Sequence, residues 1–503
     1  MSLRLPILAN YASQLYITIV GIVLVPTYVR YMGAEAYGLV AFFAMLQAFF
    51  GMLDLGLTPT IGRETARFHG GALSPLLYRQ LFRAISLIFC AIAVLGGGAL
   101  LCMSDIVASR WLNVTHIDKN AVINAVQIMS VCVALRWMGG LYRGAITGAE
   151  RLILMSGFNV FIATLRFVAV LGSMAAFSYT PKVFFIHQLV VALTELLLLY
   201  LINLRMLPSK RSLDGAIGWS IKPVLPIVKF AMTITFTSSV WVLVTQTDKL
   251  ILSGILPLAD YGFFTMAVMI ASGVTVISAP ITASIWPRMS KLAAEANDTG
   301  LLKLYRQSTQ LVAVAAIPTT VVLVCFASPV LLAWTGSAEI AAKASTSLQL
   351  YALGNGVMAF AAFPYYLQFA KGDLKLHLIG NVIFVITLIP GLIWATTRFG
   401  MNGAGWAWLL ANSGYFVLWV PRIHRRFAAK DFNFRWVFED ILPILVLPLT
   451  FVLLAKYVLP LPSGRIELSL LIALISALTL AAGIVSSPPM RAKLTRGRFI
   501  KTA

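Results

Sequence analysis

Apolar runs of about twenty residues recur from one end of this chain to the other, separated by short polar loops. A helix rises ~1.5 Å per residue, so ~20 apolar residues match the ~30 Å hydrocarbon core of a bilayer. Backbone N–H and C=O groups find no water there, and only helices or a closed barrel satisfy them. The runs are continuous and not pieces of alternating character, so the spans are helices. Composition agrees, with 59% hydrophobic and 11% charged residues, where soluble domains carry about 25% charged. A soluble fold is excluded. The first run is too long for a signal peptide, is interrupted by Asn10 and Gln14, and precedes no small-residue cleavage site.

The pattern predicts an all-α integral membrane protein with about 14 transmembrane helices. They fall near 7–29, 39–60, 82–103, 120–142, 153–175, 183–204, 227–252, 261–286, 308–333, 346–369, 376–396, 403–421, 438–458 and 467–487. With the N-terminus placed in the cytoplasm, 28 of the 39 Lys and Arg fall at inner ends and loops and 9 at outer ones. Arg136 and Arg166 fall inside spans. Such an excess on one side sets orientation and puts both termini in the cytoplasm. It also accounts for the net charge of +21 without nucleic acid, because basic loops beside a bilayer are held by anionic lipid headgroups. No loop is long enough for a catalytic module, so an enzyme is not expected.

The stretch Ile7–Arg63 reads as one apolar span, a polar corner over residues 26–38, and a second span ending in a basic loop. A weak echo follows about 225 positions later. Glu35-Ala36-Tyr37-Gly38 opens a run ending at Arg63, and Asp260-Tyr261-Gly262 opens one ending at Arg288. Internal duplication at half-length is the mark of transporters built from related bundles. Two pseudo-symmetric six-helix bundles are expected, over 1–210 and 211–430, with helices 13 and 14 and a basic cytoplasmic tail over 431–503.

Charges within spans are costly and mark functional or paired positions. Arg166 lies near the middle of helix 5, Glu195 near the middle of helix 6, and Arg136 in the inner half of helix 4. Arg166 either receives an anionic headgroup or pairs with Glu195 on the adjacent helix. The long stem of Arg136 also allows it to snorkel to the surface. Asp54 reads as a proton carrier or as a hydrogen-bond acceptor near a helix end before Gly56. Arg30 and Lys249 lie near the outer interface, as ligands or anchors, with Asp248 beside Lys249. His187 reads as a satisfied histidine. The other histidines lack metal-ligand spacing. Cys90, Cys102, Cys132 and Cys325 form no CxxC pair and are expected as buried free thiols. Pro26, Pro280, Pro318 and Pro390 are candidate bends. Thr233, Thr235, Thr237, Ser238 and Ser239 are candidates to line a wet cavity.

The run Pro26…Tyr28-Val29-Arg30-Tyr31-Met32-Gly33-Ala34-Glu35-Ala36-Tyr37-Gly38, then Asp54-Leu55-Gly56-Leu57 and a basic loop, resembles Wzx-type polysaccharide flippases. Thr247-Asp248-Lys249-Leu250-Ile251-Leu252 with Asp260-Tyr261-Gly262 is also similar to that family. It belongs to the superfamily of multidrug, oligosaccharidyl-lipid and polysaccharide exporters. The resemblance implies a flippase that moves undecaprenyl-pyrophosphate-linked oligosaccharide from the cytoplasmic to the periplasmic leaflet of a bacterial inner membrane. It also implies alternating access through a cationic cavity. The implied substrate-binding residues are Arg166, Arg136, Arg30 and Lys249, and Asp54, Glu195 and Asp248 serve coupling or ion pairing. Membrane lipids and a polysaccharide polymerase are the implied partners, with no cofactor and no metal. The alternative is a MATE-like multidrug or cation antiporter, which would want an acidic cavity.

Overall fold

The structure, a computed structural model, describes residues 4–209, 215, 217–218, 224 and 242–487, without the side chains of 4, 279–280 and 282–284. The Ser/Thr run at 233–239, most of the expected span 227–252, the side chain of Pro280 and the tail beyond 487 lie outside the described residues. Every regular element described is helical, beside one isolated bridge between Asn113 and Pro257. Eleven described helices are long and apolar enough to cross a membrane. One of them, Lys375–Phe427, contains Gly400 at φ 57° and ψ −141°, which breaks it into two lengths. The 33-residue helix Ala338–Ala370 covers the expected span 346–369. The internal contacts of the chain gather into two units, Met1–Gly262 and Phe263–Ala503.

In the first unit, α1 (Arg4–Val23) and α2 (Val25–Met32) are nearly continuous. Pro26 stands in the first turn of α2, where its missing N–H leaves no helix bond unmade. The expected polar corner at 26–38 is therefore mostly helix, and the chain turns at Gly33, whose φ of 89° suits glycine. The second span also differs from expectation. α3 (Ala34–Phe50) continues as a 3-10 turn to Asp54, and Leu55 and Gly56 then adopt left-handed backbone. A separate helix, α4 (Leu57–His69), follows.

Next come α5 (Pro75–Cys102), α6 (Lys119–Gly148), α7 (Leu152–Ala163), α8 (Val170–Ala176), α9 (Pro181–Met206) and α10, residues 242–255. α4 lies on α6 at backbone distance. A Cβ on Gly144 would come 2.5 Å from Thr58 O, and one on Gly148 would come 2.0 Å from Gly62 O. Small residues four apart permit this approach, which replaces the hydrophobic drive absent in lipid with close packing. Just after Gly33, Glu35 accepts from the backbone N–H groups of Thr115 and His116 at 2.5 and 2.9 Å. Trp111 donates to Ser253 Oγ at 2.9 Å, and Asn113 O accepts from Leu258 N at 2.9 Å.

The second unit contains α11 (Gly273–Ala294), α12 (Asp298–Cys325), α13 (Ala338–Ala370), α14 (Lys375–Gly414), α15 (Leu442–Val458) and α16 (Arg465–Ser486). Pro318 and Pro390 lie inside α12 and α14. Buried polar side chains are satisfied in pairs: Asn355 donates to Ala271 O at 2.9 Å and accepts from Trp408 Nε1 at 3.0 Å. All four cysteines are free, but Cys90 and Cys102 are exposed on α5 and only Cys132 is buried. Length and apolar flanks do not report which side of a helix faces outward, which is why the thiol expectation failed at those two positions.

Candidate functional site

Three stretches of the first unit each present two polar side chains seven residues apart, Arg136 and Arg143 on α6, Asn159 on α7 with Arg166 in the turn after it, and Gln188 and Glu195 on α9. Seven residues are close to two helical turns, so each pair shares a face. All of them but Gln188 line a cavity of about 370 Å³ within the unit, together with Gln47 of α3 and Ile17 of α1.

The polar groups form two levels. In the first, Arg136 donates to Gln47 Oε1 at 2.9 Å and to Gln188 Oε1 at 2.5 Å, with its guanidinium 5.0 Å from the Phe43 ring centroid. In the second, Glu195 accepts from Arg143 at 2.5 Å through one oxygen and from Arg166 through the other. Asn159 Oδ1 accepts the second donor of Arg143. Glu195 is 2% exposed, and a carboxylate at that burial is tolerable only when paired. Here it is paired twice. Three guanidinium groups and one carboxylate line the cavity. The Nε–H groups of Arg136 and Arg166 are buried without a hydrogen-bond partner.

The backbone that carries Arg166 is not a regular α-helix. Between α7 and α8 it widens into a π turn, Thr164–Ala169, a form that opens carbonyl groups to other donors and recurs at functional positions. Leu165 O accepts from His187 Nε2 at 2.9 Å, Arg166 O from Gln188 Nε2 at 2.9 Å, and Phe167 O from Tyr28 Oη at 2.6 Å. The carbonyl makes Nε2 the donor of His187, and its Nδ1 lies 2.8 Å from Ser173 Oγ. Both ring nitrogens are thus satisfied. Gln188 binds Arg136 with its oxygen and the Arg166 carbonyl with its nitrogen, which ties the two levels together.

The structure therefore brings Arg136, Arg166 and Glu195 to one cavity, and the Arg166–Glu195 ion pair exists alongside the cavity lining. Arg143, counted from sequence with the inner loop, turns inward to join them. Its spacing from Arg136 was the available signal. Arg30 and Lys249 do not line the cavity. Arg30 is exposed with its guanidinium 6.0 Å from the Tyr31 ring centroid, and Lys249 donates to Thr245 O at 2.7 Å and sits 3.7 Å from Asp248. Asp54 caps α4, accepting from Thr58 N at 3.2 Å and Thr58 Oγ1 at 2.5 Å.

The sequence model of the family described as "Polysaccharide biosynthesis protein" matches residues 6–293. No curated protein matches the chain. Among solved structures, the lipid II flippase MurJ in an inward closed conformation is similar over 98% of this chain and 100% of its own, at 14% identity and a TM-score of 0.69. An inward-facing MATE family multidrug resistance transporter of the MOP superfamily is similar over 83% of this chain and 95% of its own, at 14% identity and a TM-score of 0.67. The MATE multidrug transporter DinF-BH is similar over 85% of this chain and 96% of its own, at 16% identity and a TM-score of 0.57.

Proposed function

The chain belongs to the polysaccharide biosynthesis protein family, and from that membership and the cationic cavity we propose that it flips a lipid-linked oligosaccharide across a bacterial inner membrane. Family and fold make it a multi-pass membrane protein of the polysaccharide-flippase and multidrug-exporter superfamily. The finer reading is that the cargo is undecaprenyl-pyrophosphate-linked and moves from the cytoplasmic to the periplasmic leaflet, with both termini cytoplasmic. The observation that carries it is the excess of guanidinium over carboxylate among Arg136, Arg143, Arg166 and Glu195.

Moving an ionised diphosphate and a hydrated sugar through bare hydrocarbon would cost tens of kcal/mol. A hydrated cationic cavity removes most of that barrier. Arg136 and Arg166 each keep a buried N–H to donate, and charge-assisted bonds from planar guanidinium suit phosphate oxygens. Glu195 bridges Arg143 and Arg166 and offsets part of their mutual repulsion before the cargo arrives. The polyprenyl tail stays in lipid while the related bundles alternate their opening about the site. Outward movement of an anion is favoured by the membrane potential, at ~2.3 kcal/mol per charge per 100 mV. An exporter of cationic drugs would need free carboxylates, and the only carboxylate lining this cavity among the described residues already serves two arginines.

The test is Arg166→Ala in a strain that depends on this protein for its surface polysaccharide. Assembly should be lost at unchanged abundance in the membrane, with partial return in Arg166→Lys. Normal assembly at normal abundance would remove Arg166 from the transport step.

A further inference from the structure

The second unit holds a separate cavity of about 530 Å³. Thr299, Lys303, Arg306 and Gln310 line one side of it at a spacing of three to four residues along α12, facing Phe432 and Asp440. α12 has 28 residues, or about 42 Å at ~1.5 Å each, the thickness of the hydrocarbon core plus both headgroup layers. Its first turn therefore sits at headgroup level, and Thr299 in that turn lines the cavity.

The charges in this cavity are arranged, not merely present. Asp440 is 1% exposed and belongs to the π turn Trp436–Ile441. It accepts from Arg306 Nε at 2.5 Å and from Gln310 Nε2 at 2.5 Å, while Glu439 accepts from Arg306 Nη2 at 2.6 Å. Those bonds fix the Gln310 amide and leave its Oε1 buried with no donor. Arg306 spends Nε and Nη2 on the carboxylates, and no bond to its Nη1 or to Lys303 Nζ exists among the described residues. Unclaimed cationic donors thus stand at the rim and an unclaimed acceptor stands inside. Lys303 and Arg306 are offset by Asp440 in the lining and by Glu439, which pairs with Arg306 from outside it, so the group as a whole favours a ligand with no net charge.

We propose that this cavity binds the headgroup of phosphatidylethanolamine, with the phosphate on Lys303 and Arg306 and the ammonium donating to Gln310 Oε1. Leu302 and Phe432 supply the apolar wall beside the glycerol. An ammonium with N–H donors satisfies Gln310, whereas a choline headgroup has none to give. The site is independent of the transport reading, since it shares no residue with the Arg136–Arg166 cavity.

Native mass spectrometry of the purified full chain, titrated with dioleoyl phosphatidylethanolamine, phosphatidylcholine or phosphatidylglycerol, tests this assignment. Phosphatidylethanolamine should be retained roughly tenfold better than the other two. Lys303→Gln should weaken its retention, and Gln310→Met should erase the preference over phosphatidylcholine. Both variants leave the Arg306–Asp440 ion pair in place. Equal retention of the three lipids, better retention of phosphatidylglycerol, or an unchanged preference in both variants would overturn the site. Binding of soluble glycerophosphoethanolamine as tightly as the lipid would make the ligand a free phosphate ester and overturn the lipid assignment.

Discussion

Gly262 packs on Gly38: a Cβ built on Gly262 would lie 3.3 Å from the Gly38 backbone nitrogen and 3.0 Å from Ala34 O. The contact is tighter in the other direction, where a Cβ on Gly38 would fall 2.2 Å from Leu258 O. The two Tyr-Gly motifs read in the sequence as an echo of each other therefore meet backbone to backbone. Each supplies the glycine that lets the other approach.

Gly38→Ala forces the backbone at Leu258 to move and should cost about 1–3 kcal/mol. Gly21→Ala is the control, because a Cβ there meets no heavy atom within 4 Å and should stabilise α1 by about 0.5–1 kcal/mol. Thermal unfolding of both variants in detergent checks the difference. Equal stability of Gly38→Ala and the parent would contradict the close contact.

Glu195→Ala leaves Arg143 and Arg166 without their shared carboxylate. A buried pair broken on one side costs about 3–5 kcal/mol. Part of that loss should return when Arg166→Ala is added to Glu195→Ala, because one of the uncompensated cations is then gone. A double-mutant cycle on unfolding free energy measures the coupling, and additive losses would show that the two side chains do not interact.

Asp54 holds Thr58 through both its backbone nitrogen and its hydroxyl. Asparagine offers the same oxygen and caps helices as well as aspartate does. Asp54→Asn should therefore keep both stability and polysaccharide assembly, while Asp54→Ala should cost about 1 kcal/mol. A proton-carrying Asp54 would give the opposite result, with transport abolished in Asp54→Asn at full stability.

Tyr28 donates to Phe167 O inside the π turn that presents Arg166. Tyr28→Phe removes that donor with little change of shape and should cost about 1–3 kcal/mol for a carbonyl left unsatisfied. Tyr16→Phe should cost less, since Thr164 Oγ1 keeps its own bond to Val160 O at 2.9 Å. Unfolding measurements on the two variants rank them, and assembly assays show whether a loosened π turn also impairs transport.

Much of the site is legible in the residues alone. Arg136, Arg166 and Glu195 stand out because a charge far from either end of an apolar run is rare, and the Arg166–Glu195 pair follows from adjacent helices of matching depth. Arg143 escapes such a reading because it lies nearer the end of its run, where a long basic side chain ordinarily reaches for the surface. Lys249, placed near the outer interface as a ligand or an anchor, turns its ammonium back to the Thr245 carbonyl of its own helix.

Run length and composition are enough to specify helices, a bilayer, and charge within the spans of the first half. Span length and hydropathy are properties of a line of residues measured against a slab of fixed thickness, so they need no third dimension. Packing in three dimensions was needed to set Arg136, Arg143 and Arg166 around one cavity, to make Asp54 a cap, and to place the turns at Gly33 and Gly56. Those outcomes depend on how each helix is rotated about its axis. That rotation is settled by contact between helices and by the extra residue of a π turn, neither of which the hydropathy pattern encodes.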